Sequence, residues 1–252
     1  MALSKAPAVA HVRVDEGSAG QRIDNFLVRV CKGVPKSHIY RILRSGEVRV
    51  NSKRVAQTYR LQEGDELRIP PIRLAEKPDA PSVPVGKPFD IVFEDDALLV
   101  LDKPAGLAVH GGSGVSFGVI EQLRRQRPEA KFLELVHRLD RETSGLLIVA
   151  KKRSALTVLH DMMREGRVHK RYLTLVAGRW LNLQQHIKLA LHKYLTEGGE
   201  RRVSVSPEGK PAHSIVRLVK RWQSCSLVEV ELKTGRTHQI RVHLSHSGFP
   251  LF

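Results

Sequence analysis

Apolar residues recur along this chain in two different rhythms. Ile23, Phe26, Leu27 and Val30 fall at helical spacing, with Asp24 early, where a helix dipole favours an acid. Pro35-Lys36-Ser37 then restarts the chain. Ser37 is read as the N-cap of a second helix that carries Ile39, Ile42 and Leu43 and stops at Gly46. Short strands are expected over 47–50 and 66–69, separated by the turn signals Asn51-Ser52 and Glu63-Gly64-Asp65. From Phe89 the rhythm changes. Segments 89–94 and 97–102 flank Asp95-Asp96 as a hairpin, and 117–125 and 154–167 read as helices. Segments 145–152, 172–177, 214–219 and 227–232 read as strands. Hairpins mixed with helices imply an α+β domain around a largely antiparallel sheet. Between the two regions, Arg73 to Pro88 holds Pro78, Pro81, Pro84 and Pro88, a composition that stiffens the chain and removes donors. The expected organisation is an extension over 1–20, a small unit over 21–72, a linker over 73–88 and a larger domain over 89–252.

Composition adds a partner. The chain has 252 residues, 41% of them hydrophobic, enough for packed cores and against wholesale disorder. Its 42 Lys and Arg against 26 Asp and Glu give a formal charge of +16, which attracts a polyanion. Nucleic acid is the leading partner. A membrane is not expected, since no apolar run approaches a bilayer's thickness and the N-terminus carries no secretory pattern. Cys31 and Cys225 belong to no CxxC pair and read as reduced thiols of a cytoplasmic protein. The charge is concentrated: Lys32, Lys36, Arg41, Arg44, Arg49, Lys53 and Arg54 face the single acid Glu47, which reads as an RNA-contacting face that grips phosphates.

Candidate chemistry centres on His137-Arg138-Leu139-Asp140-Arg141-Glu142-Thr143-Ser144-Gly145. Asp140 lies between two arginines, which favour its ionised form, in a loop before an apolar strand. A lone aspartate in a loop more often caps a helix or makes a salt bridge. Three companion segments weigh against that: Lys170-Arg171-Tyr172, Thr234-Gly235-Arg236-Thr237-His238-Gln239-Ile240-Arg241-Val242-His243, and Leu101-Asp102-Lys103-Pro104-Ala105-Gly106 with Val109 to Gly114. The spacings of His137, His238 and His243 fit neither HExxH nor a zinc finger, so no metal is expected. Gly111, Gly112 and Gly114 lack the GxxxxGK pattern of a phosphate loop and read as a strand-to-helix turn. Asp140 and Glu142 sit too close in one loop to flank a bond as a glycosidase pair does.

The run from Ser37 to Asn51 resembles the S4 RNA-binding domain. LDKPAGLAVHGG, HRLDRETSG, KRY and GRTHQIR, in that order along the chain, resemble the segments of the RluA/RluC/RluD-type pseudouridine synthases. This resemblance implies a small S4-like (αL) domain followed by a synthase domain built on a mixed, largely antiparallel sheet with flanking helices. It implies isomerisation of uridine to pseudouridine in 23S ribosomal RNA or an assembling large subunit, by a monomer that needs no cofactor. Carried over, Asp140 is the catalytic aspartate, Arg241 its ionic partner and Tyr172 the residue stacking on the base. Arg138 fills the space of the flipped uridine, with His137, Arg236 and His238 around the substrate. The family pattern continues beyond Pro250 through further strands, so the resemblance also implies a domain incomplete at its C-terminus, with an unpaired sheet edge. A rival reading follows from that: an RNA-binding protein that does not catalyse.

Overall fold

A strand precedes the first helix. β1 (Ala10–Arg13), within the segment expected as an extension, pairs antiparallel with β3 (Glu66–Ile69). Between them lie α1 (Ile23–Val30), α2 (Lys36–Arg44) and β2 (Arg49–Val50), the last pairing with β3 to give the order β1-β3-β2. The computed structural model describes residues 8–31, 33–72, 86–111 and 117–252; Lys32, most of the expected linker (73–85) and Gly112 to Ser116 lie outside them. By contacts the chain divides into Met1–Leu159 and His160–Phe252.

The helical rhythm is what the small module buries. Ile23, Phe26 and Leu27 of α1, Ile39, Ile42 and Leu43 of α2, and Val50, Leu67 and Ile69 of the strands form one core. Asp24 is buried with them. Burial opposes its ionisation, but hydrogen bonds from Arg22, the Asn25 N–H and Tyr40 outweigh that and hold its pKa below the usual carboxylate value. Because Tyr40 lies on α2, this carboxylate ties the two helices together.

The start of α2 differs from the sequence expectation. Its N-cap is Pro35, at φ −58° and ψ 141°, and Ser37 sits inside the first turn, exposed. Proline is pre-set for the extended entry to a helix, so the chain turns helical one residue after it. The stop is as expected. Gly46 takes φ +77°, a left-handed conformation that side chains other than glycine and Asn rarely adopt.

The next sheet of the first unit runs β4-β5-β7-β6, from β4 (Asp90–Glu94), β5 (Leu98–Lys103), β6 (Glu134–Leu135) and β7 (Gly145–Ala150), all antiparallel. α3 (Val119–Gln126) buries Val119, Ile120 and Leu123 and also receives the end of the expected linker, since Gln126 Nε2 donates to the carbonyls of Gly86 (3.2 Å) and Lys87 (3.0 Å). Its N-terminus is fixed by Glu121, whose carboxylate accepts from the N–H groups of Gly111 (3.1 Å) and Gly118 (2.8 Å). Backbone passes so close here that a Cβ on Gly118 would lie 2.4 Å from the His110 nitrogen. Gly118→Ala is therefore expected to cost about 2–4 kcal/mol, read as a lower urea midpoint at unchanged slope. α4 (Arg153–Arg164) closes this unit and opens the next.

The second unit holds the order β8-β13-β12-β9, fully antiparallel, from β8 (Lys170–Ala177), β9 (Gln184–Lys188), β12 (His213–Arg221) and β13 (Cys225–Leu232). β10 (Leu191–Leu195) and β11 (Arg201–Val205) form a separate hairpin. α5 (Gln239–His246) buries Leu244 in a core with Val176, Trp180, Val216, Val228 and Val230. β8 and β9 are the two edges of this sheet, and along β8 Leu251 bridges Val176 and the Ala177 N–H donates to the Pro250 carbonyl at 2.9 Å.

Candidate active site

In the first unit, residues 136–144 connect β6 to β7. The loop is strapped to β7 from both sides: the Val136 N–H donates to the Ile148 carbonyl, and the Ile148 N–H donates to His137 Nε2, each at 3.1 Å. His137 therefore presents an unprotonated Nε2 to the strand and acts on the loop's position. Leu139 is buried and anchors the loop, while Arg138 on one side is exposed and Asp140 on the other is half-buried. The Thr143 N–H donates to the Asp140 carbonyl at 3.1 Å, closing a turn directly after the carboxylate.

Beneath this turn lies Lys103. Its side chain is fully buried, and its ammonium donates to the carbonyls of Pro104 (2.8 Å), Leu107 (2.8 Å) and Arg141 (3.1 Å). Burial lowers its pKa, opposed by the negative charges of Glu142 and Asp140. Arg141 is bound a second time, since its carbonyl accepts from the Gly106 N–H (2.9 Å) and its Nε donates to the Gly106 carbonyl (3.0 Å). The residue after Asp140 is thereby clamped to the β5 side of the sheet.

In the second unit, Tyr172 is half-buried on β8, opposite Val230 of β13. β13 leads into residues 234–238, and these are held by one amide. Gln239 Oε1 accepts from the Thr234 hydroxyl (2.7 Å) and the Arg236 N–H (3.0 Å), while Nε2 donates to the His213 carbonyl (3.0 Å) and Ser214 Oγ (2.9 Å). Ser214 contacts His243 Nδ1 at 3.0 Å, and His243 Nε2 faces the Leu189 carbonyl at 3.1 Å. A carbonyl there requires the proton on Nε2, which leaves Nδ1 to accept from Ser214. Burial lowers the His243 pKa against that carbonyl, which favours this neutral form. His238, the N-cap of α5, is left-handed at φ 51°. Arg236 and His238 are exposed, with Arg236 Nε on the Pro211 carbonyl at 3.1 Å, and Arg241 is half-buried on α5.

The structure thus brings His137, Arg138 and Asp140 together on one loop of the first unit, and Arg236, His238 and Arg241 together on one loop and helix of the second. In the small module, Lys36, Arg41 and Arg44 are exposed on α2, with Arg49 on β2 and Lys53 and Arg54 in the turn after it. Some are tethered without being neutralised: Arg54 donates to the Arg44 carbonyl and Arg49 to those of Gly46 and Ser52. Lys32 lies outside the described residues.

Two supports escaped the sequence reading. Lys103 had a signal: it shares the parity of Leu99 and Leu101, the buried face of β5. The Gln239–Ser214–His243 chain had none, because it depends on α5 packing against a strand 25 residues earlier.

No helix among the described residues is long and apolar enough to cross a membrane, and none of their His, Cys, Asp and Glu side chains gather in threes as metal ligands. Comparison with known proteins identifies the family. The family model "RNA pseudouridylate synthase" matches residues 97–246, and that of the S4 domain matches 21–67. Over 98% of its length the chain is 53% identical to Ribosomal large subunit pseudouridine synthase C of Escherichia coli strain K12, covering 79% of that protein. It is 54% identical to the protein of the same name from Pasteurella multocida, over 97% of this chain and 76% of that one. Among solved structures, Human RNA Pseudouridylate Synthase Domain Containing 1 superposes with a TM-score of 0.57 at 28% identity, over 67% of this chain and 69% of that one. The chain belongs to the RNA pseudouridylate synthase family, and carries an S4 domain before the synthase region. These matches do not favour the rival reading of a protein that only binds RNA.

Proposed function

We propose that this chain isomerises particular uridines of large-subunit (23S) ribosomal RNA to pseudouridine, using Asp140. The observation that carries the reading is a half-buried aspartate, on a loop fixed by Lys103, His137 and Leu139, in a chain so similar to enzymes named for that reaction. In the reaction, the N1–C1′ bond breaks, the base turns while held, and a C5–C1′ bond forms. The proton on C5 is then lost and N1 regains one, so atoms balance without net oxidation or hydrolysis. Asp140 acts at the sugar, as nucleophile or base, on a uridine flipped out of its stack at a cost of about a few kcal/mol.

The remaining assignments follow the family resemblance. Arg241 is the ionic partner of Asp140, Tyr172 stacks on the base and Arg138 occupies the place the base leaves. His137 holds the loop, and Arg236 and His238 meet the surrounding RNA. Residues 89–252 form the catalytic domain, acting as a monomer in the cytoplasm on rRNA or an assembling subunit. Release of tritium from transcripts labelled at uridine C5 tests the reading. Release without strand cleavage is expected, and its absence at saturating RNA contradicts it.

The S4 face supplies the grip. Replacing Lys36, Arg41 and Arg44 together with Ala removes three exposed cations. This is expected to weaken binding and reduce the slope of log K against log salt by about 2–3, at about 0.7–0.9 per phosphate contact. Filter binding between 50 and 200 mM salt reads it, and an unchanged slope removes this face from the account.

A further inference from the structure

The second unit carries an aromatic and cationic surface that the isomerisation leaves unused. Trp222, just past β12, is 42% exposed, and the Lys220 ammonium lies 5.1 Å from its ring centroid. Segment 180–183 runs beside it: the Leu218 N–H donates to the Leu183 carbonyl (3.0 Å), and the Arg221 guanidinium donates to the carbonyls of Trp180 (2.8 Å) and Leu181 (3.1 Å). A register shift between Leu218 and Lys220 breaks the ladder here, and Val219, Leu181 and Leu183 are exposed. Arg179 is exposed on the same segment. Neither 178–196 nor 209–228, the stretches that build this surface, contains a single Asp or Glu.

An exposed tryptophan with apolar neighbours, a cation over its ring and further basic residues nearby in sequence suits one partner best. A second copy of the chain would bring the same positive charge to the contact and be repelled. Single-stranded RNA offers base faces for the indole and phosphates for the cations. We propose that Trp222, with Lys220 and Arg179, is a second RNA contact, on which an unpaired base stacks while the cations hold its flanking phosphates. β12 spans nine residues, so this surface lies about 26 Å, at about 3.3 Å per residue, from the strand end that Gln239 grips. It therefore takes RNA flanking the modified uridine. The proposal rests on the RNA substrate argued above.

Trp222 and Trp180 are the only two tryptophans and Trp180 is buried, so the part of the indole emission that contacting RNA can quench comes from Trp222. The test titrates the full chain with unmodified large-subunit rRNA fragments, one short stem-loop around a modified uridine and one extended by flanking single strand. The extended fragment is expected to quench emission, and Trp222→Phe to change that quenching while Trp180 still reports a folded core. Trp222→Ala is expected to raise Kd for the extended fragment about 5- to 100-fold, with little effect on the stem-loop. In tritium release it raises KM and leaves kcat unchanged. Unchanged emission on binding, or an unchanged Kd for Trp222→Ala, overturns the proposal. So does concentration-dependent self-association abolished by that substitution, which assigns the surface to a second copy. Quenching by RNA that yields no tritium release upholds the surface and contradicts the isomerase reading instead.

Discussion

Asp140→Asn is expected to abolish pseudouridine formation, with single-turnover tritium release falling by at least about 10⁴-fold, the scale of losing a reactive group that acts as a unit with its neighbours. The argument is chemical. Asn keeps the size of the side chain and its hydrogen-bonding oxygen, but it carries no charge and neither attacks C1′ nor takes a proton at neutral pH. Leu139, the His137 strap and the Lys103 clamp on the next residue anchor the loop, and all three remain in the variant. RNA affinity is therefore expected to stay within about threefold of the parent, because phosphate contacts from the S4 face are untouched. Loss of affinity together with activity would mean that Asp140 holds the loop and is not its reactive group.

Lys103→Met is expected to destabilise the first unit by about 3–5 kcal/mol. Methionine matches the length of the stem and fills the same apolar space, so little cavity is left. What disappears is the ammonium, and with it a donor to the carbonyls of Pro104, Leu107 and Arg141, the last of which keeps the Gly106 N–H. A carbonyl left without a donor costs about 1–3 kcal/mol, offset in part because a buried charge no longer needs desolvation. Urea unfolding followed by circular dichroism reads the loss. Because the Arg141 carbonyl is one of the three, residual folded protein is also expected to show lower kcat, with the Asp140 turn less firmly held. A cost below about 1 kcal/mol would show that the three carbonyls find other partners and that the clamp does not set the loop.

Much of the fold is legible in the sequence where one face of an element is buried against one core. α1, α2, α3, β5, β7, β12 and β13 carry apolar residues at the period of their own geometry, and all lie close to where that period places them. β9, β10 and β11 do not. Gln184-Gln185-His186-Ile187-Lys188 holds one buried residue, and the β10–β11 hairpin is mostly exposed, so no alternation marks them as strands. Pro35 took the capping position read for Ser37 because a residue's capping chemistry matters less than where a fixed φ starts the helix. β1 was missed because its strand character comes from β3, more than fifty residues away.

The candidate site divides in the same way. Asp140 stands out through its neighbours in sequence, two arginines and a turn before a buried strand, all of them local. What holds it is not local. Lys103 reaches Arg141 across 38 positions, and Gln239 reaches Ser214 across 25, contacts that become visible only once β5 lies beside β7 and α5 beside β12. Residue type alone suggested where chemistry sits; the fold supplied the groups that keep it in place.

Primer extension on carbodiimide-treated 23S rRNA, after incubation of unmodified RNA with the parent chain or with Asp140→Asn, addresses the central claim most directly. The parent is predicted to give stops at a small number of discrete uridines and Asp140→Asn to give none, with both proteins binding the RNA. Stops from both proteins, or from neither while both bind tightly, would contradict an aspartate-dependent pseudouridine synthase.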